Sequence, residues 1–216
     1  MAEKAKKEVS SFVIRRLPRY YRYLTDLMAE DVTRISSTEL GKKMKLTPSQ
    51  IRQDLNCFGG FGQQGYGYSI PVLHKAIGEI LGVDHVYKTI IIGSGNLGRA
   101  LANYGGFERR GFSLCGMFDN SEKIIGTTVC GLKVKSIDEL ESFCKTEKPD
   151  IAILTVPKRS AFDIASKICE YGISGIWNFS HMELNVPSNV CVENVHLGDS
   201  LMALSFNITK KTIKSE

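Results

Sequence analysis

The hydrophobic pattern changes period part-way along the chain. From Ser11 to about Ala29 the apolar positions Val13, Leu17, Tyr20, Leu24, Leu27 and Met28 recur at helical spacing. Pro18 interrupts this run. It either opens the main helix, where a missing N–H costs nothing, or kinks a longer one. Ser36 or Ser37 ahead of Glu39-Leu40 predicts a capped helix start and a short helix through about Met44. Thr47 then caps, and Pro48 opens, a helix running to about Cys57. The stretch FGGFGQQGYGYSI is rich in glycine flanked by Phe and Tyr, which predicts two short strands around a tight turn. Pro71–Leu81 reads as another helix.

From Thr89 short apolar runs alternate with amphipathic stretches. TIIIGS, SLCGMFD, DIAILTV, SGIWNF and VCVENV read as strands; NLGRALANYG, SIDELESFCKT and SAFDIASKICEYG read as helices; LGDSLMALSFNI is a last amphipathic segment. This alternation implies a doubly wound parallel sheet. The expected fold is α/β: an N-terminal winged helix-turn-helix domain, residues 1–82, followed by a C-terminal Rossmann domain, residues 83–216. Residues 1–10 and the tail from Lys210 read as disordered.

The net charge is +5, and its placement sharpens the picture. Residues 1–80 hold 13 Lys and Arg against 8 Asp and Glu, whereas residues 81–216 hold 15 of each. Such asymmetry suits a polyphosphate partner at the N-terminal end, although a charge kept for solubility would look the same. The polar start MAEKAKKEVSS has no apolar stretch of signal-peptide length, and no run approaches the ~18 apolar residues of a membrane span. The six cysteines form no C-x-x-C pair and no zinc spacing. Cys115 and Cys169 read as buried thiols, and all six as reduced. These features point to a cytoplasmic protein without membrane or metal.

SSTELGKKMKLTPSQIRQDL has helix-turn-helix form. Leu40 and Met44 from the first helix and Ile51 and Leu55 from the second face the core, with Leu46 in the turn. Thr47, Ser49, Gln50, Arg52 and Gln53, with Lys42 beside them, are left to meet a duplex; Gln suits adenine, and Arg suits guanine or phosphate. An all-α interaction module would share the helix pair. The glycine-rich hairpin after it favours a DNA-binding wing, whose Gln63, Gln64 and Tyr66 reach phosphates or the minor groove.

TIIIGSGNLGRAL sets Gly93-x-Gly95-x-x-Gly98 between an apolar strand and a helix, the context a dinucleotide-binding turn requires. Gly93 allows the tight turn, Gly95 admits the pyrophosphate and Gly98 lets helix and strand pack closely, with Ser94, Asn96 and Leu97 completing the loop. Asp119 ends the next strand, 21 residues after Gly98, where it suits the ribose hydroxyls and repels a 2′-phosphate; it also fits an ordinary turn in Asp-Asn-Ser. An oxidoreductase with an N-terminal oligomerisation domain remains open, with His181, His196 and Lys158 as its candidate proton carriers. A DNA-binding regulator using another nucleotide remains open as well. No activated Ser or Cys accompanies these histidines, so binding without catalysis is the more economical reading.

Taken together, QIRQDLNCFGGFGQQGYGY, IIIGSGNLGRALANYGGF, DIAILTVP and GISGIWNFSHMELNVPSNVCVENV make the chain resemble the Rex family of redox-sensing transcriptional repressors over almost its full length. The resemblance implies a homodimer whose C-terminal helix, here roughly Leu197–Ile208, is exchanged between subunits. It implies an inverted-repeat operator, released when NADH binds, with NAD+ competing at the same site. It extends the cofactor-binding set to Tyr104, Thr155, Pro157 and His196, and it implies a switch built from Arg22, Tyr104 and the position of His196. Two departures stand out. Many members carry Asp where His196 stands, so an Arg–Asp pair cannot form there, and many carry Arg where Gln64 stands.

Overall fold

Pro18 opens a helix and bends none. In the computed structural model, which describes residues 9–63 and 66–213, helix α1 spans Ser11–Ile14 and α2 spans Leu17–Ala29, with Pro18 in the first turn of α2. Leu17, Tyr20, Leu24 and Leu27 are buried on one stripe of α2. Met28, expected on that stripe, is instead exposed, because it lies one residue past Leu27 and the stripe narrows at the helix end.

The N-terminal unit continues with strand β1 (Arg34–Ile35), helices α3 (Ser37–Met44) and α4 (Pro48–Asn56), strands β2 (Gly62–Gln63) and β3 (Gly67–Ser69), and helix α5 (Ile70–Leu81). Strand β1 was not evident in the sequence. It pairs antiparallel with β3, which also pairs with β2, so the wing is anchored as a three-stranded sheet of order β1-β3-β2. Leu40, Met44, Ile51 and Leu55 join the α2 stripe and Leu73 and Ile77 of α5 in one core. The Tyr21 ring stacks on His74 of α5 at 4.2 Å.

The second unit alternates as the pattern predicts: β4 (Tyr87–Ile92), α6 (Asn96–Ala102), β5 (Phe112–Asp119), a small hairpin of β6 (Thr128–Val129) and β7 (Leu132–Lys133), β8 (Lys135–Ser136), α7 (Leu140–Glu147), β9 (Ile151–Leu154), α8 (Lys158–Glu170), β10 (Gly175–Asn178), β11 (Cys191–Asn194) and α9 (Leu197–Ile213). The large sheet runs β11-β10-β9-β4-β5-β8, all pairs parallel. In chain order that is 6-5-4-1-2-3, the doubly wound dinucleotide-binding arrangement. Ile90 and Ile92 of β4 enter the core on one face and Ile91 the core on the other, which is why the strand reads as an unbroken apolar run.

The two units divide between His85 and Val86, against an expected boundary after residue 82. Helix α9 runs on to Ile213, so part of the tail expected to be disordered from Lys210 is helical. The rest of that expectation, and most of the one for residues 1–10, lies outside the described residues. Cys144 is the buried thiol, raised by burial to about 11; Cys115 and Cys169, expected to be buried, are only partly so: Cys115 lies in the less covered first half of β5, and Cys169 is next to the end of α8. Among the described residues no helix is long and apolar enough to cross a membrane, and no group of three or more His, Cys, Asp or Glu is placed to hold a metal.

Candidate functional site

In the second unit the chain reverses direction across the sheet between β4 and β9, which opens a crevice at the carboxyl ends of those strands. The glycine turn lies there. Gly93 has φ +98°, and a Cβ on it would stand 2.6 Å from the Thr155 carbonyl oxygen. Thr155 Oγ1 donates to the Gly93 carbonyl at 2.6 Å, tying the turn after β4 to the end of β9. A Cβ on Gly98 would collide with the Gly93 carbonyl oxygen, so α6 sits as close to the turn as a glycine allows. Above Gly95 a Cβ would meet nothing within 4 Å. The three glycines thus divide the work: two are required by the fold, and the third leaves room beside its backbone for a ligand phosphate. Asn96 is exposed and Leu97 partly buried.

Asp119 ends β5 only 9% exposed. Its carboxylate accepts the Ser94 N–H at 2.6 Å on one oxygen and the Ser121 N–H at 2.8 Å on the other. The second bond is the local turn that an Asp-Asn-Ser stretch favours. The first reaches across the sheet to the glycine loop, and each oxygen keeps a lone pair for a further donor. Arg99, which the sequence pattern did not single out, braces the same loop: its Nε donates to the Ser94 carbonyl at 3.0 Å. A bound dinucleotide is therefore compatible with the residues present: an open approach at Gly95, a shaped turn, and an acidic acceptor beside it.

The other expected cofactor residues stand on other segments of the second unit. Pro157 caps α8 just past β9, and its ring is exposed. Tyr104 is 54% exposed and heads an edge-to-face row in which Phe107 lies 4.8 Å away, Trp177 5.5 Å from Phe107, and Phe179 4.7 Å from Trp177. His196 stacks on His181 at 5.9 Å. The loop bearing His181 is held by buried Asn178, which donates to the Met182 carbonyl at 2.7 Å and to Asn194 Oδ1 at 2.8 Å, while Ser180 donates back to it. Among the expected cofactor residues, Gly93, Ser94, Gly98, Asp119 and Thr155 form one connected framework.

In the N-terminal unit both helix starts are capped by side chains. Ser36 accepts the Glu39 N–H and Glu39 accepts the Ser36 N–H, while Thr47 accepts the Gln50 N–H at 3.2 Å. Between the helices Lys45 adopts φ 54° and Leu46 N–H returns to the Gly41 carbonyl at 2.9 Å. A Cβ on Gly41 would stand 2.6 Å from the Leu46 carbonyl oxygen, so the turn demands glycine there. Lys42, Thr47, Ser49, Arg52 and Gln53 are exposed. Arg52 is drawn towards Ser37 Oγ at 3.1 Å and Ser49 Oγ at 3.3 Å. On the wing Tyr66 is 72% exposed, and Arg34 donates to its carbonyl at 3.0 Å. Gln63 lies on β2; Gln64 lies outside the described residues. Arg22 projects from α2 with its guanidinium 5.8 Å from the Tyr23 ring.

Comparisons with known proteins give this geometry a family. Residues 8–56 match the model for a putative DNA-binding protein N-terminus, and residues 84–182 match the CoA binding domain model. The redox-sensing transcriptional repressor Rex of Caldicellulosiruptor saccharolyticus is 51% identical over 211 residues, 98% of this chain and 96% of that protein. The chain belongs to the Rex family of redox-sensing transcriptional repressors. A crystal structure of RSP with β-NAD+ and operator DNA superposes with TM-score 0.89 at 49% identity, covering 97% of this chain and 96% of that one. RSP with β-NADH gives 0.88 at 46%, covering 97% and 98%. Rex relatives of such identity are repressors, so the oxidoreductase reading is not favoured.

One feature of this Rex chain escaped the sequence reading. Asp54 of α4 is 0% exposed. It is gripped by Arg16 in a two-pronged ion pair at 2.7 Å through each nitrogen, by Tyr20 OH at 2.9 Å and by Gln50 Nε2 at 2.8 Å. Burial pushes this carboxyl up, but the hydrogen bonds from Arg16, Gln50 and Tyr20 outweigh it and leave it below the usual carboxylate value. Burial first, and then the hydrogen bond to Asp54 and its charge, push the Tyr20 hydroxyl far up, against the opposing charge of Arg16. The available signal was helical period: Asp54 falls three residues after Ile51 and beside Leu55, on the inward face.

Proposed function

We propose that this chain is a homodimeric, operator-binding repressor that reports the NADH/NAD+ ratio in the cytoplasm. One observation carries the reading: a single short chain holds a doubly capped helix pair with a wing and, in its other unit, a glycine turn braced by Asp119 at the switch point of a doubly wound sheet. RSP, so similar in sequence and fold, was solved with NAD+ on operator DNA and separately with NADH.

In this reading residues 1–82 read the duplex. Helix α4 enters the major groove with Ser49, Gln50, Arg52 and Gln53, while Lys42, Thr47 and the wing residues Gln63, Gln64 and Tyr66 hold phosphates or the minor groove. Residues 83–216 take the dinucleotide. Gly93, Ser94, Gly95, Asn96, Leu97 and Gly98 receive its pyrophosphate, Asp119 the ribose hydroxyls, and Thr155, Pro157, Tyr104 and His196 the remainder. Asp119 also argues against coenzyme A and NADP, which both carry a phosphate on the adenosine ribose. Arg22, Tyr104 and His196 relay the nicotinamide's redox state, which differs by one positive charge on the ring. His196 replaces a family carboxylate, so the relay uses an imidazole hydrogen bond in place of an ion pair.

Reduced cofactor must favour the form that does not bind DNA. A tenfold loss of operator affinity needs ~1.4 kcal/mol of coupling, and operator then weakens NADH binding by the same factor. The test is a titration of operator duplex, recovered by selection on the full chain, with NADH and with NAD+ at fixed salt. Release by NADH at concentrations where NAD+ leaves the complex intact is expected; equal effects would remove ratio sensing.

A further inference from the structure

The buried carboxylate of Asp54 has a use beyond stability. It accepts only, so the Gln50 group 2.8 Å from it is the amide nitrogen, and the orientation of that amide follows from chemistry alone. One Gln50 N–H is thereby committed. What remains on the same planar amide is one N–H and the carbonyl oxygen. That donor–acceptor pair is the complement of adenine's major-groove edge, which offers N7 as acceptor and the N6 amino group as donor. Gln50 lies in the first turn of α4, the part of a recognition helix that meets base edges, and it is partly exposed. Asp54 in turn cannot swing, because Arg16 holds both of its oxygens and Tyr20 one of them.

We propose that Asp54, locked by Arg16 and Tyr20, is a positioning residue that fixes the Gln50 amide for bidentate reading of one A·T pair in each half-site. A free glutamine loses rotamer freedom on binding and presents either end of its amide; a tethered one has met most of that cost in advance and rejects the reversed pattern. The proposal rests on the operator-binding reading above and deepens it.

The experiment selects duplexes from a random pool with the full chain, then measures binding of wild type, Gln50→Ala and Asp54→Asn to the selected site and to every single base-pair variant of it. Wild type should show one A·T position per half-site whose preference disappears in Gln50→Ala. Asp54→Asn should lose roughly tenfold discrimination at that same position and keep it elsewhere. A uniform weakening by Asp54→Asn with the preference profile intact would overturn the proposal and leave Asp54 a purely structural ion-pair partner. Failure of wild type to select any duplex would instead overturn the operator reading itself. Because Asp54→Asn removes charge from a buried site, a second measurement uses wild-type protein: NMR of the Gln50 side-chain amide, assigned by its absence in Gln50→Ala. One of its protons should be protected and shifted relative to exposed glutamines. Exchange as fast as in exposed glutamines would equally overturn the tether.

Discussion

The main-chain N–H of Ser94 donates to the carboxylate of Asp119 at 2.6 Å, joining the glycine turn after β4 to the end of β5. The residue that would recognise the ribose is therefore also the one that shapes the phosphate loop. Hydrogen bonds to a charged group contribute roughly 1.5–3 kcal/mol each. Asp119→Ala should weaken NADH binding by at least tenfold and narrow the gap between NADH and NADPH, since the repelling carboxylate is gone. Calorimetry with both nucleotides measures this; an unchanged NADH affinity would take Asp119 out of the site.

Gly98→Ala should be more severe. The added Cβ would strike the Gly93 carbonyl oxygen and crowd Thr155 Oγ1, both held in place by the Thr155–Gly93 hydrogen bond. Overpacking of this kind costs typically 1–3 kcal/mol, and the relief available is a shift of α6 that spoils the turn. Gly95→Ala meets no atom of the chain, so it should leave the thermal midpoint nearly unchanged while weakening NADH. A pair of melting curves and two NADH titrations separate fold from ligand at neighbouring glycines.

The same contrast marks what was legible in the sequence. Period alone placed Leu40, Met44, Ile51 and Leu55 in the core, and the glycine spacing located the turn before any coordinate. Long, strongly patterned elements declare themselves because their burial is repeated every turn or every second residue. Two-residue strands such as β1 and β8 do not, since their identity comes from a partner strand distant in sequence. Arg99, Asn178 and Asp54 were missed for a related reason. Each acts through partners fixed only by the fold, and a polar residue on an apolar face looks like noise until its hydrogen bonds are counted.

The Asp54 ion pair carries a pH dependence with a definite sign. Its carboxyl lies below its ordinary value in the folded chain, so the proton binds the unfolded chain more readily. The stability it contributes is complete above the unfolded value, roughly pH 4, and drains away as pH falls through the lower folded value. Thermal melts of the N-terminal unit's transition should therefore fall steeply below about pH 4, and Asp54→Asn should flatten that acid limb while lowering stability at neutral pH. An equally steep limb in the variant would assign the acid sensitivity to other carboxylates.

Arg52 is exposed on α4 and donates to the hydroxyls of Ser37 and Ser49. Its removal should spare the fold. If it meets a phosphate, Arg52→Ala lowers the slope of log affinity against log salt by about 0.9 per half-site; if it meets guanine, it relaxes preference at one base pair by about 1–3 kcal/mol. Operator titrations at several salt concentrations distinguish the two. NADH affinity should not change, and a variant with both slope and specificity intact would place Arg52 outside the interface.

Helix α9 supplies the last expectation. Leu197, Leu201, Leu204 and Ile208 recur at i, i+4, i+7 and i+11, and with Met202 and Phe206 they are all more than half exposed in the single chain. Covering one such side chain contributes about 1.5–3 kcal/mol, so six left in water are a large unspent driving force. In the homodimer proposed above, a second copy of the chain exchanging the same helix would cover this face on both subunits by symmetry. Leu201→Asp with Leu204→Asp should then convert a dimer to a monomer in sedimentation equilibrium. Since Leu201 and Leu204 are both more than half exposed in the single chain, the circular dichroism and NADH affinity of the Rossmann unit should largely survive. Operator affinity should collapse, because an inverted repeat read by one helix-turn-helix loses half its contacts. Wild-type protein sedimenting as a monomer at micromolar concentration would rule out the exchanged-helix dimer.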